Sequence, residues 1–333
     1  MIGLLRLGII GSGTIVREVL PLLAGCGWRA AAICSTPRSE GLGEALCAQY
    51  SMENAFTDLG AMLSAIPLDA VYIGVPNHLH YAVAQQVLEA GIPAIVEKPL
   101  ASNAQEARAL AALAKKKDVP LIEAVSTLYH PNFDKIRQLL PEIGTVRLVS
   151  CNFSQYSRRY DAFRLGELPP VFDPDKSGGA LMDLNSYHLH YLCGLFGEPA
   201  KLAYRANIER GIDTSGVLTL DYGTFQAIAV AAKDCSAPPI CLIQGTEGYL
   251  LQTSTVNVCG AVTLHRNDGS EQVFSSVPPH RLVPEFHAFA EMLSSETNLG
   301  WREALAHSLR VSELLTQARL DAGIRFAADC EAV

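Results

Sequence analysis

The sequence predicts an α/β protein in two domains: a doubly wound parallel sheet, then an α+β domain with an open, mostly antiparallel sheet. Over the first third of the 333 residues, apolar runs alternate with helical patterns, which is typical of parallel sheets with right-handed crossovers. From about residue 124, longer strand patterns follow one another through turns, with few helices between them. A chain of this length with 49% hydrophobic residues can form two cores. The domains are therefore predicted at 1–123 and 124–333.

In the first domain, strands are predicted to alternate with helices. The expected strands are Leu5–Ile10, Arg29–Cys34, Leu68–Ile73, Ala94–Glu97 and Pro120–Glu123. The spacing of apolar residues predicts helices over Thr14–Ala24, Tyr81–Ala90 and Asn103–Lys117. Pro21 should kink or shorten the first helix, because proline lacks the N–H group that a helix interior needs.

The second domain is predicted mainly from strand patterns. Its expected strands are Thr145–Tyr156, Leu202–Ile208, Gly216–Asp221, Gln226–Ala232 and Ile240–Gln244. Turn sequences such as Asn267-Asp268-Gly269 separate the strand patterns. Closing helices are predicted over Pro284–Ser294 and Trp301–Ala322, and the last helix, at about 301–322, is a candidate to pack back on the first domain.

Charge and cysteine content narrow the classes of partner. A net charge of −8 and a pI near 5.6 argue against nucleic acid or an anionic membrane surface. No segment approaches the roughly 18 apolar residues of a membrane span. The nine cysteines are scattered without a C-x-x-C pair, which favours free thiols in the cytoplasm. The motifs call for no metal ion.

A glycine-rich turn follows the first predicted strand. Gly11 and Gly13 fit a G-x-G pattern that opens a helix, although Val16 stands where a third glycine or alanine is usual. Backbone N–H groups in such a turn can bind phosphate, so the turn predicts a bound dinucleotide. The alternative is a purely structural turn. The residues expected at the cofactor here are Gly11, Ser12, Gly13, Thr14 and Ile15.

The end of the second strand bears on the choice of cofactor. An acidic residue at this position would hydrogen-bond the ribose hydroxyls of NAD, but none occurs before Glu40. Ser35, Thr36 and Arg38 stand there instead, and hydroxyls with a guanidinium suit a 2′-phosphate better. NADP is therefore favoured over NAD. The alternative is that Arg38 is only a solvated loop residue.

A lone lysine follows the strand Ala94–Glu97. Lys98 lies between Glu97 and Pro99, and the proline restricts the local backbone. Ligands of open α/β sheets bind at the carboxyl ends of strands. An ammonium there can hydrogen-bond a substrate hydroxyl and stabilise developing negative charge. The alternative is an ordinary surface lysine.

A helix that opens at Gly178-Gly179 carries three polar groups. Asp183, Tyr187 and His190 are spaced i, i+4 and i+7, which would put a carboxylate, a phenol and an imidazole on one face of an otherwise apolar helix. The alternative is a polar face exposed to water. His188 is given no role, since lone histidines in such helices are often core residues.

These motifs together resemble the Gfo/Idh/MocA oxidoreductases, the family of glucose–fructose oxidoreductase and inositol dehydrogenase. The resemblance covers nearly the whole chain, and it implies a Rossmann domain and a second domain whose sheet makes oligomer contacts, as a homodimer or homotetramer. It further implies NAD(P)-linked oxidation of a secondary alcohol on a sugar, cyclitol or related polyol. It also places five residues at the cofactor: Pro76, Asn77, His80, Glu97 and Lys98.

The resemblance assigns roles to the helix and the lysine. Lys98 matches the catalytic lysine of the family, and Asp183 matches the aspartate that meets the substrate. Tyr187 falls where many members have a catalytic histidine, and some branches have tyrosine there. His190 replaces a usual aspartate and Asn185 a usual glycine, which affects the expected substrate more than the reaction type.

The expected mechanism is hydride transfer with proton transfer by Tyr187. A phenol has an ordinary pKa of about 10, so the Lys98 ammonium is expected to favour the phenolate, with Asp183 orienting the substrate or the lysine. His190 is the second candidate for the proton. One alternative is a sensor that binds NADP without turnover.

The other alternative is an activity like that of dihydrodiol or xylose dehydrogenases, whose apolar ring substrate would suit a different pocket. The residues expected to line that pocket are Phe153, Tyr156 and Phe163. A polar and aromatic loop precedes the helix and is predicted either to line the pocket or to be ordinary surface. Its residues are Gln155, Tyr156, Arg159 and Tyr160.

Overall fold

The computed structural model describes residues 4–295, 297 and 299–330, which form two compact units. Of the described residues, the first unit takes 4–124 together with those of 285–309, and the second takes 125–284 together with 310–330. In the first unit, Trp28 Nε1 donates a hydrogen bond of 2.8 Å to the carbonyl of Phe286. The predicted limits of 1–123 and 124–333 did not assign 285–309 to the first domain, although the last helix, at about 301–322, was a candidate to pack back on it.

The sheet of the first unit has the order β3-β2-β1-β4-β5-β6 and is parallel throughout. Its strands are β1 (Leu5–Ile10), β2 (Trp28–Cys34), β3 (Asn54–Phe56), β4 (Ala70–Ile73), β5 (Ala94–Glu97) and β6 (Leu121–Ala124). The strand order reverses between β1 and β4, which creates a crevice at their carboxyl ends. The predicted doubly wound parallel sheet is confirmed.

In the part of the first unit that ends at Ala124, helices follow the strands. They are α1 (Thr14–Val19), α2 (Glu40–Gln49), α3 (Leu59–Ala65), α4 (His80–Glu89) and α5 (Ala104–Lys117). The shortening expected from Pro21 is confirmed, since α1 gives way to a 3₁₀ segment at Leu20–Cys26 that ends at Gly27 with φ of 86°. The segments α2, β3 and α3 were not predicted.

The sheet of the second unit has the order β14-β13-β12-β11-β7-β10-β9-β8. Its strands are β7 (Val146–Ser154), β8 (Lys201–Glu209), β9 (Ile212–Asp221), β10 (Gln226–Ala232), β11 (Ile240–Gly245), β12 (Gly248–Gln252), β13 (Val262–Arg266) and β14 (Glu271–Phe274). Among the described residues, β7 and β10 pair in parallel and the other neighbours pair antiparallel. The predicted mostly antiparallel sheet is confirmed, although β12, β13 and β14 were not foreseen.

One face of this second sheet is covered and the other is open. Val149, Cys151 and Phe153 of β7 are buried in the core, whereas Leu148, which precedes Val149 near the start of the strand, is half exposed. This alternation is the period of two expected for a strand with one covered face. The core side holds helices α6 (Pro131–Leu139), α7 (Tyr160–Arg164) and α8 (Ser186–Phe196).

Two helices lie late in the chain, α9 (Val283–Ser294) and α10 (Leu299–Asp321). Apolar residues of α10 beyond Arg310, such as Leu314 and Leu315, belong to the core of the second unit. No helix in the described part of the chain is long and apolar enough to cross a membrane.

Candidate active site

The glycine turn after β1 leaves room for a ligand at the backbone. Gly11 has φ of 104°, and a Cβ atom there would collide with the carbonyl oxygen of Gly74, which follows β4 across the crevice. Gly13 precedes α1, and a Cβ atom there would meet nothing within 4 Å. The turn therefore needs glycine at Gly11 for its own geometry and presents open backbone at Gly13. Both features fit a dinucleotide phosphate.

Hydroxyl groups organise the loop after β2. Thr36 Oγ1 and Ser39 Oγ are 2.9 Å apart, and Ser35 Oγ donates to the carbonyl of Ser39 at 3.3 Å. Arg38 is exposed on a 3₁₀ turn of this loop. Glu40 is the first acidic residue after the strand, and it lines a small hollow of about 20 Å³ beside Ser35. The loop thus presents hydroxyls and a guanidinium at the carboxyl end of β2.

The backbone around Lys98 is held on both sides by buried groups. Tyr72 OH donates to Glu97 Oε1 at 2.6 Å, just before the lysine. Glu123 Oε1 accepts from the N–H of Leu100 at 2.8 Å, just after it. The peptide bond between Lys98 and Pro99 is cis. Lys98 itself is half-buried.

His80 connects two loops of the first unit. Its Nδ1 lies 2.8 Å from the carbonyl oxygen of Pro99 and its Nε2 lies 2.9 Å from that of Val75. Burial lowers the pKa of His80, although both carbonyls favour its charged form. A neutral imidazole has one N–H and donates to one of the two carbonyls. The ring therefore braces the Lys98 segment against the loop after β4, and its predicted contact with the cofactor stays a prediction.

Pro76 and Asn77 lie in that loop after β4. Pro76 is exposed and Asn77 is half-buried at the start of a 3₁₀ turn, Asn77–Leu79. Because β4 neighbours β1 in the sheet, this loop and the glycine turn occupy the same edge. The residues predicted at the cofactor from these two loops are therefore brought together in the first unit.

The helix of the second unit begins differently from the prediction. Leu181–Asn185 form a π-helical turn, and the regular α-helix α8 starts only at Ser186. The prediction of one regular helix from Asp183 to His190 is wrong for its first turn, because a π turn has a wider hydrogen-bond spacing. π turns inside helices frequently occur at functional sites.

Asp213 of β9 secures the start of this helix. Its Oδ2 accepts hydrogen bonds from the N–H of Leu181 at 2.6 Å and from Tyr204 OH at 2.7 Å. Gly179, with φ of 101°, passes so close to this carboxylate that a larger residue has no room. Burial raises the pKa of Asp213 to about 6.

The three polar residues of the helix differ in exposure. The side chain of Asp183 is 33% exposed and forms an ion pair with Lys233, which was not predicted. Tyr187 is 8% exposed and its ring lies 6.4 Å from that of Phe153, whereas His190 is 0% exposed. The alternative of a polar face in water is excluded for Tyr187 and His190. The signal that was missed is a Lys-Asp pair directly after the apolar strand β10.

His188 is a core residue. Its Nδ1 lies 2.8 Å from Asn185 Oδ1, and burial lowers its pKa to about 3. The ring is therefore neutral at physiological pH and donates to the amide oxygen. The absence of a predicted role for His188 agrees with this position.

A cavity of about 400 Å³ opens at the carboxyl end of β7 in the second unit. Phe153, which also contacts Tyr187, forms part of its wall. The other lining residues are Ser154, Gln155, Pro239, Thr255, Asn257, Val258 and Arg281. The cavity thus offers hydroxyl, amide and guanidinium groups beside one aromatic ring.

The loop before the helix contributes less to this cavity than predicted. Tyr156 OH donates to Asp161 and Tyr160 OH donates to Glu209, which raises the pKa of Tyr160 to about 12. Arg159 sits on the surface at the start of α7. Phe163 is fully buried, with its ring stacked 4.8 Å from that of Phe172. The expectation that Phe163 lines an apolar pocket is therefore wrong, because the residue is used in the core.

The first unit has a parallel sheet with a glycine turn at its point of reversal, which is the arrangement of dinucleotide-binding domains. The second unit has a polar cavity, and the ring of Tyr187 lies next to its wall residue Phe153. Family models agree: residues 5–125 match the oxidoreductase family with an NAD-binding Rossmann fold, and residues 133–251 match the GFO/IDH/MocA C-terminal domain. The chain belongs to the GFO/IDH/MocA oxidoreductase family. The predicted family and the predicted nicotinamide cofactor are confirmed, and the alternative of a sensor without turnover is set aside.

Individual relatives match almost end to end. The uncharacterized oxidoreductase YgjR of Escherichia coli is 34% identical over 98% of this chain and 99% of its own length. The scyllo-inositol 2-dehydrogenase (NADP(+)) IolU of Bacillus subtilis is 31% identical, with the same coverage of both chains. Among solved structures, the 3-ketoreductase KijD10 of Actinomadura kijaniata superposes with a TM-score of 0.83 at 24% identity, covering 96% of this chain and 98% of its own. This last likeness concerns the fold.

Proposed function

We propose that this protein transfers hydride between NADP and a secondary alcohol or ketone of a sugar, cyclitol or related polyol. The observation that carries the proposal is the cavity of the second unit, whose Ser154, Gln155 and Asn257 offer hydrogen-bonding groups suited to several hydroxyls. The name of one relative supports the same class, scyllo-inositol 2-dehydrogenase (NADP(+)) at 31% identity, whereas a relative named D-xylose 1-dehydrogenase (NADP(+)) 2, at 30% identity, has an activity that the alternative also includes. The alternative of an apolar ring substrate is supported by Phe153, which lines the cavity, but not by Phe163, which is buried in the core.

Each candidate residue is proposed to have one task. Tyr187, which keeps 8% exposure beside the cavity wall, would accept the proton of the substrate hydroxyl. Asp183 would orient that hydroxyl, and Lys98 would stabilise the negative charge that develops on its oxygen. His190 is the less accessible candidate for the proton, since it has no exposed surface. The bound nicotinamide supplies the hydride acceptor or donor.

Two variants test these tasks. Lys98→Ala should abolish turnover and leave cofactor affinity nearly unchanged, and Tyr187→Phe should lower kcat by about 100-fold or more if the phenol transfers the proton. The measurement is NADPH absorbance in a screen of polyols, aldoses and dihydrodiols. Full activity of the Lys98 variant would reject its role, and an unchanged pH–rate profile for Tyr187→Phe would favour His190. In a double variant, losses that do not add would indicate that Lys98 and Tyr187 serve the same step.

The preference for NADP is proposed to come from the loop after β2. Arg38, exposed next to the Thr36 and Ser39 hydroxyl pair, would bind the 2′-phosphate. Arg38→Ala should raise the Kd of NADPH by about 10-fold or more and that of NADH by less than twofold, measured by fluorescence titration. Equal losses for both cofactors would reject this assignment.

The domains are proposed to divide the work, with 1–123 binding the cofactor and 124–333 binding the substrate and a further copy of the chain. Exposed apolar residues on three neighbouring strands support the self-association: Leu148 (49%), Val217 (37%) and Ile228 (41%). A homodimer or homotetramer through this open face is expected, and Ile228→Glu should lower the mass measured by sedimentation. A cytoplasmic location is proposed separately, from the scattered cysteines without a C-x-x-C pair.

A further inference from the structure

Lys233 is a buried lysine at the end of β10. Its N–H donates to the carbonyl of Thr214 at 2.8 Å, and its own carbonyl accepts from the N–H of Ser157 at 2.8 Å. Its side chain is 7% exposed, and Nζ forms an ion pair with Asp183 Oδ2. Burying an ammonium is costly unless an opposite charge accompanies it. Lys233 therefore depends on the ionised form of Asp183.

The two partners of this ion pair differ in exposure. The lysine is buried, whereas about a third of the Asp183 side chain is exposed. The carboxylate oxygen Oδ2 of Asp183 is thus engaged by a buried ammonium, while part of the Asp183 side chain remains exposed. Such an arrangement limits the directions in which the carboxylate can point.

The turn that carries Asp183 is tied to two strands. Asp213 of β9 binds the N–H of Leu181 at the start of the turn, and Lys233 after β10 binds Asp183 itself. The charge of Lys233 also acts on Asp213, where it opposes the effect of burial on the pKa of that carboxyl. Next in sequence, Asp234 accepts from the hydroxyls of Thr214 and Ser215 at 2.7 and 2.8 Å. These groups make up the charged surroundings of the pair.

We propose that Lys233 is a positioning residue of the active site, which keeps Asp183 ionised and oriented toward the substrate. The proposal rests on the proposed function, because the orientation of Asp183 matters for catalysis only if it meets the substrate hydroxyl. If the ion pair served stability alone, its loss would not change the pH dependence of activity. Removing one partner of a buried ion pair also destabilises the fold, so the two roles are separated by Lys233→Arg, which keeps the charge, and by the pH dependence of activity, which a loss of stability alone would not move.

The first test compares Lys233→Met with Lys233→Arg and with Lys201→Met, an exposed lysine of β8 that serves as control. Lys233→Met should lower kcat/KM for a polyol by about 10–100-fold, the value of a lost charged hydrogen bond. The acid limb of its pH–rate profile should move up by about one pH unit or more. Lys233→Arg should recover most of the activity, and the Kd of NADPH should stay within about twofold in all variants. Wild-type kcat/KM and an unchanged profile in Lys233→Met would overturn the proposal.

The second test does not depend on turnover. Protein labelled with ¹³C at the aspartate carboxyl carbons is titrated by NMR, and the Asp183 resonance is assigned by its loss in Asp183→Asn. In Lys233→Met, the titration midpoint of this resonance should lie about one pH unit or more above that of the wild type. An unchanged midpoint would overturn the proposal. If the wild type oxidises no polyol but the midpoint moves, the proposed substrate class fails while control of Asp183 by Lys233 is supported.

Discussion

Replacing Asp213 with asparagine should remove a pH dependence of stability that a single buried carboxyl creates. Asp213 is 1% exposed, and burial raises its pKa to about 6 from an ordinary value of 3.8. Between these values the folded protein keeps a proton that the unfolded chain releases. The stability that Asp213 contributes is therefore fully present below about pH 4 and is lost as the pH rises through about 6. The gap between the two values corresponds to about 3 kcal/mol.

The variant keeps an oxygen that can accept the hydrogen bonds from Leu181 and Tyr204, but it does not titrate. The free energy of unfolding of Asp213→Asn minus that of the wild type should therefore increase by about 3 kcal/mol from about pH 4 to about pH 7. This difference is independent of any constant effect of the substitution. The magnitude follows from the burial of the carboxyl, so a more exposed aspartate on the same strand should behave otherwise.

Urea unfolding followed by far-UV circular dichroism measures this difference. Tryptophan fluorescence is unsuitable, because Trp28 and Trp301 both belong to the other unit. Asp221→Asn is the control on the same strand. The N–H of Gly223 lowers the pKa of Asp221, so the free energy of unfolding of Asp221→Asn minus that of the wild type should decrease as the pH rises. A difference for Asp213→Asn that stays flat within about 1 kcal/mol, or falls with rising pH, would refute the reasoning.

Three further changes test other parts of the structure. Burial lowers the pKa of His188 from 6.5 to about 3, so the stability that His188 contributes is lost as the pH falls below about 6.5. The free energy of unfolding of His188→Gln minus that of the wild type, measured in urea, should therefore increase by about 2 kcal/mol from about pH 7 to pH 5. An unchanged difference would contradict the effect of burial. Gly179→Ala, at a φ of 101° without space for a Cβ, should lower the thermal midpoint by several degrees, and by more than Gly211→Ala, which has a φ of 81° but open space. Equal midpoints for these two alanine variants would show that crowding is unimportant. Tyr72→Phe, which removes the donor to Glu97, should lower the unfolding free energy of the first unit by about 1–3 kcal/mol when tryptophan fluorescence is followed.

Much of the first unit was predictable from local patterns. The strand β1 and the strand β5 have the predicted bounds, because each is a short apolar run closed by a distinctive polar or glycine sequence. The region from α2 to α3 was missed. Its strand β3 has only three residues, partly exposed, and α2 contains two glycines, so neither shows a strong periodicity. The later strands β12 to β14 are short, and only the turn between the last two was recognised.

Residue types and spacing along the chain were enough to locate the glycine turn after β1, the lysine after β5 and the helix that carries Asp183 and Tyr187. Each of these signals lies within a few neighbouring residues, where turn chemistry and periodicity act. The surroundings of Asp183 depended on contacts between distant segments. Lys233 is 50 residues away in sequence and Asp213 binds across 32 residues to Leu181. The pairing of β7, β9 and β10 brings these groups together, and burial then raises the pKa of Asp213, which no local pattern encodes.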